Sequence, residues 1–119
     1  MLSRWVGFAL SLGVLGTAPS SAAQDNYGAI AVAPDGSWGS AYDQASRAEA
    51  EQTALRSCGS LSCEVKLWFR NNCGAYARGR GGEGWAYAET RAEAEQAALH
   101  ECSLRGRACE VLCWACNAH

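Results

Sequence analysis

Two twelve-residue stretches of this chain are nearly the same. Arg47 to Cys58 reads RAEAEQTALRSC and Arg91 to Cys102 reads RAEAEQAALHEC, with nine identities at a spacing of 44 residues. Repetition at such a period means one supersecondary unit built twice, each copy covering apolar surface that the other cannot bury alone. The likeness extends in both directions. Tyr27-Gly28-Ala29-Ile30-Ala31 matches Cys73-Gly74-Ala75-Tyr76-Ala77, and Cys63 to Trp68 matches Cys109 to Trp114, both at a spacing of 46. The copies run from about 27 to 69 and from about 73 to 116.

Each copy predicts strand, strand, helix, strand. In the first, a small-residue strand from Tyr27 to Ala33 ends at Pro34-Asp35-Gly36, where proline presets one φ and glycine accepts the positive φ of a hairpin. Trp38 to Tyr42 returns. Ser46 followed by Glu49, and Thr90 followed by Glu93, are reciprocal capping boxes that open the helices. Ala50, Ala54, Leu55 and Cys58 share one helical face, as do Ala94, Ala98, Leu99 and Cys102, and alanine there lets a helix lie close on a sheet. The second hairpin runs from Cys73 to Arg78 and returns through Trp85 to Ala88, with a glycine-rich tip from Gly79 to Gly84 that predicts mobility. The expected fold class is α+β: two ββαβ repeats forming a mainly antiparallel sheet, two helices on one face, stapled by disulfides.

The first 23 residues stand apart. Arg4 supplies a positive start, Trp5 to Leu15 is uncharged and apolar, and Ser21-Ala22-Ala23 offers small residues to a peptidase. That order predicts a secretory signal peptide over 1–23, cleaved after Ala23 and leaving a single domain over 24–119. The apolar run falls well short of the ~20 residues a spanning helix needs, so no membrane attachment is expected after cleavage. Destination is periplasm or medium. Without Arg4, nine basic residues stand against twelve acidic ones, a balance that gives nucleic acid no purchase.

All seven cysteines follow the leader, and an exported domain this small benefits from covalent staples. Cys58 and Cys63 recur as Cys102 and Cys109, so bonds that duplicate pair Cys58 with Cys63 and Cys102 with Cys109. A symmetric exchange, Cys58 with Cys109 and Cys63 with Cys102, satisfies the same logic. Cys73 opens a strand and Cys116 lies near the end of the chain, and a bond between them would pin the C-terminus. Cys113 takes the place of Leu67 and reads as a core residue.

The strand Tyr-Gly-Ala-Ile-Ala at 27–31, the helix start Ser-Arg-Ala-Glu-Ala at 46–50, Ala-Leu-x-x-Cys at 54–58, Cys-Glu-Val at 63–65 and Asn-Cys-Gly-Ala at 72–75 together resemble the exported bacterial domain of unknown function family 4189. The resemblance covers nearly all of the chain after the leader. It implies a secreted or periplasmic, disulfide-containing bacterial domain and carries over no catalytic residue. Cys113 and the Cys-x-x-Cys ending depart from the shared pattern.

Chemistry-bearing groups have plain competing explanations. Cys109, Cys113, Cys116 and His119 have spacing that a tetrahedral zinc site tolerates, but an oxidising compartment consumes the thiolates, so no metal or other cofactor is expected. Cys113-x-x-Cys116 as a redox pair would want a helix N-terminus, and it sits at a strand end. His100 falls on the outer helical face. Glu49, Glu51, Glu93 and Glu95 read as caps and solvated surface, so no catalytic residue is assigned. Trp68 and Trp114, in matching places, read as core filling. Trp38 and Trp85 flank hairpin turns, where an exposed ring stacks on a sugar or anchors a protein, and Arg78 and Arg80 suit a carboxylate or phosphate.

These features favour a non-enzymatic binding or inhibitor-type module of the bacterial envelope or medium, with a protein or glycan ligand. Two alternatives carry different marks: a structural or stress-related envelope protein with no dedicated ligand, and a metal-binding or thiol-redox protein using the C-terminal cysteines.

Overall fold

A computed structural model describes residues 24–118; the leader expected over 1–23 and His119 lie outside them. The element order is β1 (Tyr27–Val32), β2 (Trp38–Gln44), α1 (Arg47–Cys58), β3 (Glu64–Arg70), β4 (Cys73–Arg80), β5 (Gly82–Ala88), α2 (Arg91–Ser103) and β6 (Arg107–Cys116). That is the ββαβ unit twice. Local chemistry sets the boundaries. The first hairpin closes through Ala33 N–H to Ser37 O at 2.8 Å, with Gly36 at φ 95°. Ser46 Oγ accepts from Glu49 N–H at 3.1 Å and Thr90 Oγ1 from Glu93 N–H at 3.2 Å. This is the hydroxyl half of the capping box.

The strands divide into two antiparallel sheets, β2-β1-β3 and β5-β4-β6, instead of joining into one. The reason lies in the alternation of side chains along β1 and β4. Ala29, Ala31 and Ala33 point to one face and pack on Ala50, Ala54 and Cys58 of α1. Cys73, Ala75 and Ala77 do the same against Ala94, Ala98 and Cys102 of α2. The opposite faces bear Ile30, Val32, Leu67 and Phe69 on one sheet and Tyr76, Cys113 and Ala115 on the other, and these bury each other. Each sheet is therefore apolar on both faces and takes its own helix outside, so the helices cover opposite ends of a four-layer stack rather than one shared face.

Two details bring the layers close. A Cβ on Gly39 would come within 2.3 Å of Ala54 O, and one on Gly84 within 2.4 Å of Ala98 O, so each second strand lies directly under its helix backbone. The Phe69 ring fills a slot between Gly28 and Gly74, where a Cβ would come within 2.5 Å of the ring. The glycine-rich tip is packed. Gly79 pairs with Gly82 around a two-residue turn, and a Cβ on Gly106 would lie 2.4 Å from Arg80 O. Those glycines let the backbone of the tip approach the α2–β6 connection closely.

Disulfides join Cys58 to Cys63, Cys102 to Cys109 and Cys73 to Cys116. The first two occupy equivalent places. The third has no copy: the matching pair in the first unit is Tyr27 opposite Arg70. Residues 26 and 118 meet beside the junction of the two units, with Asn26 Nδ2 donating to Ala118 O at 2.9 Å, Asn71 N–H to Asn26 O at 2.8 Å and Asn117 N–H to Asn72 O at 3.0 Å.

Candidate functional site

The repeated sequence places one arrangement twice. Arg47, the first residue of α1, lies 4.6 Å from the Trp68 ring centroid, and Arg91, the first residue of α2, lies 3.9 Å from that of Trp114. Each arginine is held from behind by a carboxylate one turn on, Glu51 at 2.9 Å and Glu95 at 3.0 Å. Trp68 and Trp114 are 38% and 39% exposed, so they do not fill the core as expected. An alanine-faced helix seated this close leaves no room beneath it for indoles, and they lie beside its N-terminus under a guanidinium instead. The identity of RAEAE in both copies was the signal for this.

Trp38 and Trp85 do not form one surface. Gly39 and Gly84 fix the correspondence of the second strands, which makes Glu83 the counterpart of Trp38 and Ser40 that of Trp85. β2, bearing Trp38, neighbours β6, whereas β5, bearing Trp85, neighbours β3 across the stack. The two rings therefore occupy opposite open edges. Both remain exposed, at 44% and 41%.

Arg78 is half-buried and engaged within the molecule. Its guanidinium donates to Tyr76 Oη at 3.1 Å, Pro34 O at 3.3 Å and Ala33 O at 3.2 Å, clasping the first hairpin. Tyr76 Oη in turn donates to Glu83, whose other oxygen accepts from Lys66 Nζ at 3.2 Å. Burial, reinforced by the Glu83 bond, pushes the Tyr76 phenol up to about 12. Desolvation works to raise the Glu83 carboxyl, but the hydrogen bonds from Tyr76 and Lys66 and the positive charges of Lys66 and Arg78 outweigh it and hold it below the usual range. The phenol and carboxylate both belong to the second unit, and Lys66 on one side and the Arg78 bonds to Ala33 and Pro34 on the other extend the network across to the first, so it clasps the two units. The matching positions at the other edge are Ile30, Val32, Trp38 and Leu112, all apolar. Arg80 is exposed at the hairpin tip.

The C-terminal cysteines are dispersed. Cys113 faces the inter-sheet core as a free thiol, and burial pushes its pKa up to about 12. Cys116, three residues on, faces α2 and is bonded to Cys73, while Cys109 is bonded to Cys102. Alternation along a strand puts i and i+3 on opposite faces, so the Cys-x-x-Cys spacing does not bring these sulfurs together. Among the described residues no three His, Cys, Asp or Glu side chains gather in a way that could hold a metal ion. His100 is exposed.

What the stack does assemble is a groove between the neighbouring edges of β3 and β5. One part, a cavity of about 410 Å³, is lined by Trp68, Phe69, Arg70, Asn72 and Tyr87. It continues past Trp68 and Tyr87 into a second hollow that reaches Lys66 and Trp85. Tyr87 is 65% exposed. Lys66 stands 5.5 Å from the Trp85 ring centroid at one end, and Arg70 marks the other. Of these residues sequence reasoning singled out Trp85 alone as a binding residue. Tyr87 and Arg70 carried no signal beyond their types, since only the stacking of two sheets brings β3 beside β5.

This architecture defines a class: a disulfide-stapled α+β domain of two ββαβ units, stacked sheet on sheet, in which no described helix is long and apolar enough to cross a membrane. The sequence model of the domain of unknown function DUF4189 matches residues 27–116, and the chain belongs to that family. It is 42% identical over 95 residues to protein Rv1269c of Mycobacterium tuberculosis, across 80% of this chain and 73% of that protein. It is also 42% identical over 96 residues to the uncharacterized protein Rv1813c of the same organism, across 77% of this chain and 61% of that one. The NMR structure of Rv1813c superposes with a TM-score of 0.59 at 30% identity, covering 92% of this chain and 99% of the solved one.

Proposed function

We propose that the domain is a non-enzymatic binding module, of binding or inhibitor type, that works outside the cytoplasm and holds a protein or glycan ligand in the β3–β5 groove. The observation that carries this is the placing of three exposed rings, Trp68, Trp85 and Tyr87, along one continuous groove with Lys66 and Arg70 at its ends. Aromatic rings held by paired strands lose little rotamer freedom on binding, and cations at the margins orient an anionic group. Export is supported by the leader-like first 23 residues and by three disulfides, which persist in oxidising compartments. Periplasm and medium both meet that condition.

The test is affinity capture from envelope extract, culture medium and a panel of insoluble polysaccharides. It compares the native domain with Trp68→Ala/Tyr87→Ala and with Trp38→Ala, which alters only the opposite edge. Whatever the native domain retains should be lost roughly tenfold or more by the double variant and kept by Trp38→Ala. Undiminished capture by a folded double variant would remove the groove from consideration.

A further inference from the structure

The β3–β5 edge, taken as the binding surface, also indicates what seats there: we infer that β5 pairs antiparallel with the β5 of a second copy of this chain, forming an isologous dimer. Unpaired strand edges recruit other strands, and native proteins blunt them with bulges, charges, proline or a covering segment. Three of the four edges here are blunted. β2 is tied down at Asp43, which has φ 54°, accepts from Ala118 N–H at 2.7 Å and donates its own N–H to Asn117 Oδ1 at 2.7 Å. β3 carries the bulged Lys66 between residues paired with Ile30 and Ala31, with Glu64 and Arg70 at its ends. β6 breaks register twice against β4. β5 alone pairs with β4 in unbroken register over all seven residues; it contains no proline, and its one charge, Glu83, is taken up by Tyr76 and Lys66.

Which backbone groups face outward follows from β4. Cys73 and Cys116 stand 4.0 Å apart at Cα, the close spacing of a non-hydrogen-bonded antiparallel pair, so Cys73 turns its N–H and C=O towards β5. Its partner there is Ala88, and the alternation along β5 leaves Glu83, Trp85 and Tyr87 with their N–H and C=O on the free edge. Gly79 opposite Gly82, flanking a two-residue turn, gives the same phase. Among the described residues no backbone bond from a turn, loop or cap uses those groups.

The strand is complementary to itself. With the twofold axis at Trp85, Trp85 lies opposite the partner's Trp85 and Glu83 opposite the partner's Tyr87. All three outward-facing residues then fall in hydrogen-bonded pairs, and no like charges oppose. On the helix face the same register sets Gly84 against the partner's Ala86, small against small. Closure by a twofold gives a discrete dimer with six strands in one sheet and no β5 edge left over.

The experiment is sedimentation velocity on the protein as processed by bacterial export, from roughly 1 μM to roughly 1 mM, which brackets micromolar to millimolar dissociation constants. It is joined to amide hydrogen exchange at the two concentration limits. A dimer is expected, with slowed exchange at Glu83, Trp85 and Tyr87. Tyr87→Glu, which sets two pairs of carboxylates face to face, should weaken association roughly tenfold, and Tyr87→Lys, facing Glu83, should retain it. The residue is mostly exposed, so neither change threatens the fold. A monomer at every concentration, or a dimer indifferent to Tyr87→Glu with free exchange at those amides, would overturn the proposal. A monomer that still captures a partner through Trp68 and Tyr87 removes the second copy but leaves the groove reading standing.

Discussion

Removing the Cys73–Cys116 bond should cost more than removing either duplicated disulfide, by an amount set by loop length. The bond joins residues 43 apart, against 5 for Cys58–Cys63 and 7 for Cys102–Cys109. The entropy that a cross-link withdraws from the unfolded chain grows with the logarithm of the closed loop, giving about 4 kcal/mol for the long loop and about 2 kcal/mol for each short one at 25 °C. The bond also pins the end of the last strand, because Cys116 is the final residue of β6. Double substitutions, Cys73→Ala/Cys116→Ala against Cys58→Ala/Cys63→Ala, avoid leaving a lone thiol in the deleted pair. Urea unfolding followed by tryptophan fluorescence, without reductant, measures both. The long-loop variant should be less stable than the short-loop variant by about 2 kcal/mol. Equal losses, or a loss below about 1 kcal/mol for the long loop, would refute the idea that the third bond acts by closing the second unit.

Phe69→Ala should cost about 3–5 kcal/mol, because the ring is buried and its slot between Gly28 and Gly74 is rigid backbone that cannot collapse; thermal unfolding checks this. Stability should also fall at alkaline pH. Cys113 and Tyr76 ionise near 9 and 10 when unfolded but near 12 in the fold, so the unfolded state binds fewer protons between those values. The folded state therefore loses about 1.4 kcal/mol per pH unit for each group in that window, and none below about pH 8. Cys113→Ala should flatten the decline from pH 9 upward, and an unchanged slope in that variant would contradict the burial of the thiol.

The sequence made the unit legible because both copies spell it. Caps at Ser46 and Thr90, the turn at Pro34 and the alanine faces of the helices are local signals, and each operates as its chemistry dictates. Sheet count was not local. Whether β1 and β4 share a sheet depends on Ile30, Val32, Leu67 and Phe69 needing a second cover, and periodicity records only that they alternate with alanines. The same blindness misplaced the tryptophans. Trp68 and Trp114 are large and repeated, which suggests a core, yet the tight alanine contact that sequence did predict is what excludes them from it. Trp38 and Trp85 both flank hairpin turns, but Gly39 and Gly84 carry the correspondence of the two strands, visible only once a helix lies across them. The groove draws Trp68 and Arg70 from one unit and Tyr87 from the other, so no single stretch of sequence could display it.

The meeting of residues 26 and 118 beside Asn71 and Asn72 fixes where any attached polypeptide must depart. Both ends leave from the pole of the stack that holds the disulfide between Cys73 and Cys116, while the turns at Pro34 and Gly81 cap the other pole. A domain tethered by either end, or strung between neighbours, would therefore hang from a single point with its hairpin tips pointing away. Its β3–β5 flank runs between the two poles, to the side of that point.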